Sequence, residues 1–595
     1  MSWPLPSSLA AAAPADLPRL LDQLHRDDPG LHALLLHQVS VDEDGALKIG
    51  LSGPNKFALG VALLERRGVP LERVRSLSVH YSEAVNLDGL RRLTGLRSLE
   101  INSNGNLTNV DGLTALAGLR SLTLVLDQEG GSLDLTPITT LRQLERLVLE
   151  DDFEDEDFAF LAGMPALREV SLQVEGRVSL PALRHVRTLT LGMDDEASLD
   201  GLRALSGLRE LSLFQVRYSG GYAFLEDLSG LTRLQLVAHA PMRDLSPLAG
   251  LTALRSLNIP VASGADLSPL RGLTALRELS LGSKGTGLLD LSPLMHAADP
   301  LPALEDLRVY GAPMHQLVAL AARLPGLRSL TLSHTGELVR VDLSPLAALG
   351  ALRSLRLRGI VPERVPPLPS VTELSVGGHS ECCLPSLGPL AVLTGVETLE
   401  LGVAPADGDF SPLACLPRLR TFTLRDGGDL DFSGLRCPEL EALHLVVVKI
   451  NNLPPLPKLR TAFLDEVGSR GLSFDTMAEM HALESLVLFS GHKELSGLAS
   501  APALRSLHLS SQRPEAVQGD WLSTLSTLES LDLSCLSLES LPALPPALRH
   551  LSINRGVPLT PADLDRLSHL RSLTVNRLRV ESSASIAALV ALCAV

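Results

Sequence analysis

The hexapeptide Leu96-Arg97-Ser98-Leu99-Glu100-Ile101 returns, barely altered, at Leu254-Arg255-Ser256-Leu257-Asn258-Ile259, Leu352-Arg353-Ser354-Leu355-Arg356-Leu357 and Leu504-Arg505-Ser506-Leu507-His508-Leu509. Counted from the first Leu or Val of each copy, there are about 23 starts between Val74 and Leu570, spaced by roughly 19 to 25 residues, the period of stacked supersecondary units. A unit that short cannot bury its apolar face alone, so its neighbours must supply the core. The 595 residues therefore read as one long solenoid rather than several globular domains. Aromatic residues are only 3% of the chain, so that shared core has to be aliphatic.

Each copy follows L-x-x-L-x-L. Its two alternating apolar residues, such as Leu257 and Ile259, have strand periodicity and point inward, while the residues between and beside them face out. Parallel strands about 4.8 Å apart would give a concave sheet roughly 100 Å long. The return half often reads Asp-Leu-Ser-Pro-Leu, as at Asp244 to Leu248, Asp266 to Leu270, Asp290 to Leu294 and Asp342 to Leu346. Ser is expected to accept a hydrogen bond from the next turn's free N–H groups, with Pro at the first helical position. Short helical or 3₁₀ convex turns follow.

Residues 1–72 lack the repeat and read as a mainly helical N-terminal cap. It has apolar-periodic segments at Leu17 to Leu24, Leu31 to Val39 and Phe57 to Arg67, and a strand pair turning at Asp44-Gly45. Residues 73–580 form the solenoid, and residues 581–595 read as an apolar C-terminal capping helix.

The Leu-Ser/Thr-Pro-Leu turn followed by Gly-Leu-Thr-x-Leu, carried best by Leu245 to Leu281, resembles the repeats of bacterial internalin-type leucine-rich-repeat proteins. Leu541 to Leu548, with its Leu-Pro-x-Leu-Pro spacing, resembles the short repeats of Gram-negative effectors. The resemblance implies an α/β fold: a right-handed, curved leucine-rich-repeat solenoid with a parallel concave sheet and short 3₁₀ or helical convex turns. One position departs from it. Where such families place a bonding Asn, only Asn104 fits, and later copies carry His239, Ala262, Lys284, Val448 and Leu536. Those turns must be held in another way.

A formal charge of −16 opposes a nucleic-acid or anionic-membrane surface. No stretch approaches the roughly 18 apolar residues of a membrane helix. The six cysteines lack paired spacing, and no Lys or Arg precedes Arg19, which together suggest a cytoplasmic protein with reduced thiols. No phosphate loop, zinc motif or nucleophile elbow stands in a suitable context, so neither enzyme activity nor a cofactor is expected.

The Arg after the first Leu recurs in about half the copies and reads as a solvated rim pairing with Asp and Glu; an acidic-ligand track is the other reading. The concave floor is mostly Ser, against which larger side chains stand out as candidate anchors, because interface energy concentrates in aromatic and Arg residues. These are Phe214, Arg308, Tyr310, Arg356 and Arg358, and, towards the C-terminal end, Phe463, Asp465, Phe489, His508 and Asp532. The acidic run from Glu150 to Asp157, with Glu150, Asp151 and the lone Phe153, reads as a solvated loop or a dock for a basic segment. It lacks the glycine and spacing of a calcium loop. His379 to Cys383 has metal-ligand residue types, but adjacent cysteines suit a closed site poorly.

The expected function is a non-catalytic scaffold binding a protein partner through its concave face, as monomer or dimer. Two alternatives are a regulator of an intracellular enzyme, of inhibitor or GTPase-activating type, and a translocated effector.

Overall fold

The computed structural model describes residues 16–27 and most of 39–580; the main segments left out are 50–55, 127–132, 151–157, 175–179, 194–198, 215–221, 378–383, 466–474, 512–519, 534–539 and 554–562. The chain divides into two compact units, Met1–Leu276 and Arg277–Val595.

The first unit begins with the helix Leu17–Asp27, which buries Leu17 and Leu21, and the helix Lys56–Arg66, which buries Phe57, Leu59, Leu63 and Leu64. Between them Val39–Val41 and Ala46–Ile49 pair antiparallel. Their turn needs Gly45, whose φ of +83° is left-handed and whose added Cβ would meet Arg73 backbone. Ala46–Ile49 then pairs parallel with Ser76–Ser82, and one strand per repeat follows in register: Leu99 faces Leu122, Leu122 faces Leu147, and Leu211 faces Leu234. These leucines are at most 1% exposed, so each strand buries alternate residues in a core shared with its neighbours.

The second unit repeats the scheme from Glu278–Ser283 to Ser572–Val575, with Leu307, Leu330, Leu355 and Leu374 stacked in register. Ser572–Val575 also pairs antiparallel with Leu578–Val580, a hairpin that the repeat pattern does not announce. Two further parallel pairs, Val339–Asp342 with Ile360–Arg364 and Asp429–Asp431 with Lys449–Asn451, form outside the main sheet. Both units are leucine-rich-repeat solenoids. Most return segments are 3₁₀ turns; Met314–Ala321 is an α-helix of 8 residues.

The capping expectation is corrected in one respect. The acceptor is not Ser but the Asp two residues earlier: Asp244 Oδ1 receives the Ser246 N–H at 2.9 Å, and Asp266, Asp290, Asp342 and Asp409 do the same for Ser268, Ser292, Ser344 and Ser411. The Ser hydroxyl donates back to the same carboxylate, at 2.9 Å in Ser246 and 2.8 Å in Ser411. This is an Asx turn, in which a short carboxylate satisfies the N–H two residues on.

These hydrogen bonds hold the carboxyls of Asp244, Asp266, Asp290, Asp342 and Asp409 below the ordinary value of 3.8. A depressed folded-state pKa contributes stability that is complete above the unfolded value and is lost as pH falls through the folded one. Melting temperature should therefore begin to drop below about pH 4. Thermal melts between pH 7 and 3 check this: replacing these five Asp with Asn should flatten the acid limb, and an unchanged limb would contradict the assignment.

Two positions that lack the bonding Asn are tied to a neighbouring repeat through their own backbone. The Ala262 N–H donates to Met242 O at 2.8 Å, and the Val448 N–H to Asp465 O at 3.2 Å. Asn104, His239, Lys284 and Leu536 lie outside the described residues, as do His379 to Cys383 and most of the C-terminal tail.

Among the cysteines, Cys437 is buried, its Sγ donating to Leu413 O at 3.6 Å, and burial raises its pKa to about 11; Cys415 is exposed. Thiolate is the reactive form. Mass spectrometry after brief treatment with a thiol reagent at pH 8 should find Cys415 modified and Cys437 modified only after unfolding. Equal modification in the folded protein would contradict this burial.

Candidate functional site

Alternation puts the residues between the buried leucines on the open face of each sheet. Because parallel strands pair in register, equivalent positions of successive repeats line up in rows across that face. In the second unit, one row runs His444, Phe463, Val487, His508, Asp532, and a second, two residues further along, pairs Asp465 with Phe489 and Phe489 with Ser510.

Those rows bring together all five C-terminal candidates. The ring centroids are 6.3 Å apart for His444 and Phe463, 5.5 Å for Phe463 and Phe489, and 5.4 Å for Phe489 and His508. Such separations and tilted angles are those of attractive aromatic pairs. His508 Nδ1 meets Asp532 Oδ2 at 2.9 Å, which fixes the imidazole against the Phe489 ring. The result is a continuous ridge over the strands from Ala442–Leu445 to Ser530–Leu533, exposed at His444 and half-buried from Phe463 onward. The row before it, at the strand starts, holds Ser485, Ser506 and Ser530. His444 and Val487 belong to this ridge and were not among the candidates, although their repeat alignment with Phe463 was available.

The middle candidates also converge. Arg308 and Arg356 occupy one row on either side of Thr331, while Tyr310 and Arg358 occupy the next on either side of Ser333. Thr331 is 2% exposed and Ser333 6%, so these strand residues are buried beneath their surroundings despite their outward register. Arg308 is held by the Asp306 carboxylate through Nε and Nη2, at 3.0 and 2.8 Å. Phe214, in the first unit, stands half-buried between Gly192 and Val237, and Val237 is 42% exposed. Glu150 ends the strand Arg146–Glu150, facing Val125 and Gln173, whereas Asp151 and Phe153 lie outside the described residues.

The Arg row behaves as a rim. Arg120, Arg277, Arg420 and Arg505 pair with Glu145, Glu305, Glu441 and Glu529 of the following repeat at 3.0–3.3 Å. Elsewhere the guanidinium reaches a backbone carbonyl instead: Arg97 to Gly118, Arg187 to Gly207 and Arg209 to Gly230, at 2.6, 2.7 and 2.8 Å. A Cβ at Gly118 would strike the Arg97 guanidinium, so that glycine leaves room for the bond. Carbonyl bonding of this kind is not visible in residue spacing. The exposed ion pairs contribute little each.

Among the described residues no group of three His, Cys, Asp or Glu side chains is placed to hold a metal, and no helix is long and apolar enough to cross a membrane.

No protein-family model and no curated protein matches the chain. Solved structures similar to it include a leucine-rich-repeat protein of Leptospira interrogans, at 16% identity over 67% of this chain and 98% of that one, with a TM-score of 0.43. An internalin of Listeria monocytogenes is similar at 22% identity over 56% of this chain and 83% of that one, TM-score 0.32. TLR13, in a complex with ssRNA13, is similar at 16% identity over 85% and 88%, TM-score 0.48. The chain is thus similar to leucine-rich-repeat proteins.

Proposed function

We propose that the protein is a non-catalytic scaffold that binds a protein partner through the open face of its sheets. The ridge His444–Phe463–Phe489–His508–Asp532 is the observation that carries this reading. Aromatic side chains clustered on an otherwise Ser- and Thr-rich floor are the kind of group on which interface energy concentrates. Each one is held by in-register strands and by its ring neighbour, so it is positioned before the partner arrives and little ordering entropy opposes binding. The overall negative charge and the carboxylates of Asp465 and Asp532 suit a partner that is neutral or basic at this ridge.

Affinity capture from the source cell's own extract tests the reading, with the full chain beside a Phe463→Ala/Phe489→Ala variant of equal melting temperature. A partner retained by the first and lost from the second supports it. A partner retained equally by both contradicts it.

A further inference from the structure

The second unit segregates its charges along the strands. The carboxylates Glu278, Asp306 and Glu373 share the row at the strand starts. The next row holds Arg308, Thr331, Arg356, Ser375 and Glu400. The row after that begins Tyr310, Ser333, Arg358, Gly377. It continues into Gly402, whose N–H donates to Val376 O at 2.7 Å, and Arg425, whose N–H donates to Leu401 O at 3.0 Å. Between Tyr310 and Arg425 this row contains guanidinium groups and no carboxylate; the next one along it is Asp465, two strands beyond Arg425.

Its centre is bare. Gly377 and Gly402 carry no side chains, and a Cβ on Gly377 would find its nearest neighbour, Gly402 Cα, at an ordinary 3.4 Å. Arg358 and Arg425 stand on either side, three strand spacings of about 4.8 Å apart. Arg425 Nε is paired with Glu400 at 2.5 Å, which turns Glu400 away from a role as a free anion and holds the guanidinium in place. Among the described residues no carboxylate pairs with Arg356 or Arg358. In a chain of formal charge −16 this is a local concentration of positive charge beside an open floor.

We propose that this trough, Gly377 and Gly402 walled by Arg358 and Arg425 with Arg356 alongside, docks an extended acidic segment of a partner protein. The inference rests on the reading of the open face as protein-binding and adds the chemistry of one contact. A glycine floor lets another backbone approach closely. An extended segment presents side chains on one side about every 6.7 Å, so every second one, about 13 Å apart, matches the roughly 14 Å between Arg358 and Arg425. Arg356 and Arg358 each offer a planar fork that matches a carboxylate in two hydrogen bonds, and Arg425, whose Nε is taken by Glu400, adds its remaining N–H groups. Because exposed ion pairs are individually weak and screened, binding depends on several at once and falls with salt.

Fluorescence anisotropy of labelled octaglutamate with the full chain at low ionic strength tests this, with labelled octalysine as the control. Octaglutamate should bind, octalysine should not, and added salt should reverse the binding. Arg358→Ala/Arg425→Ala should weaken it at least tenfold. Gly377→Val, which fills the trough without touching charge and suits a strand, should weaken it comparably at unchanged melting temperature. The Phe463→Ala/Phe489→Ala variant should bind octaglutamate as the native chain does. The inference is overturned by absence of binding, by native affinity in either trough variant, or by a single-stranded RNA of equal charge binding as tightly through the same arginines. Loss of octaglutamate binding with ridge-dependent capture intact removes this inference alone; octaglutamate binding with ridge-independent capture removes the ridge reading alone.

Discussion

Phe410→Ala should destabilise the second unit by about 3–5 kcal/mol, the usual cost of removing a fully buried aromatic ring from a packed core. Phe410 is 1% exposed and lies at the meeting of three rings. It stacks on Phe432 with centroids 4.7 Å apart and planes 17° apart, and meets Phe422 edge-on at 6.0 Å. Phe422 is a strand residue in the place usually taken by Leu, paired in register with Leu399 and Leu443. Phe432 follows the short strand Asp429–Asp431 and is itself 0% exposed. Phe422 and Phe432 are themselves fully buried and held by their own packing, so neither ring is free to fill the space Phe410 would leave. Stability in a solenoid is a sum of local and nearest-neighbour terms, so the damage should be local. Urea unfolding followed by hydrogen exchange should show early opening of the repeats around residues 398–445 while the first unit keeps its native protection. An unchanged midpoint, or uniform loss of protection in both units, would contradict this description of the core.

The second large effect concerns binding. Truncating a central aromatic anchor typically costs about 2–4 kcal/mol of binding free energy, and each 1.4 kcal/mol is tenfold in affinity. Phe463→Ala/Phe489→Ala removes two adjoining rings and with them the surface on which His508 rests. Affinity for the partner should fall by at least about 100-fold. Both side chains are half-buried on the open face rather than in the core, so the melting temperature should move little. Asp532→Asn, which keeps the shape but weakens the hold on His508, should have a smaller effect of the same sign.

Much of this was legible in the sequence because a parallel, in-register sheet turns repeat alignment into spatial adjacency. Once the inward positions Ala462, Leu486, Leu507 and Leu531 are aligned, the residue following each is a neighbour in space, and Phe463, His508 and Asp532 fall into one row. The Asp-Leu-Ser-Pro-Leu turn is also recognisable, but spacing alone points to Ser as the acceptor where the structure has Asp, since either oxygen can serve and only geometry decides between them. The Arg358–Arg425 trough was not legible. Its walls lie at and just beyond the strand ends, and its floor is defined by side chains that are missing from Gly377 and Gly402. The sequence suggests that the rim arginines pair with acids, which holds at Arg120 and Arg505 but not at Arg97 or Arg209, where the partner is a carbonyl that no residue type reveals.

Recognition through the open face is decided by the dissociation constant of the captured, purified partner for three forms of the full chain: native, Phe463→Ala/Phe489→Ala, and Val392→Ala. Val392 is 44% exposed and ends the 3₁₀ turn Gly388–Val392, away from the open face, so it is an apolar control on the opposite side of the repeat. The ridge variant should bind at least about 100-fold more weakly and the control within about twofold of the native chain. Native affinity in the ridge variant together with loss in Val392→Ala would place recognition on the turns and contradict the claim that the open face binds the partner.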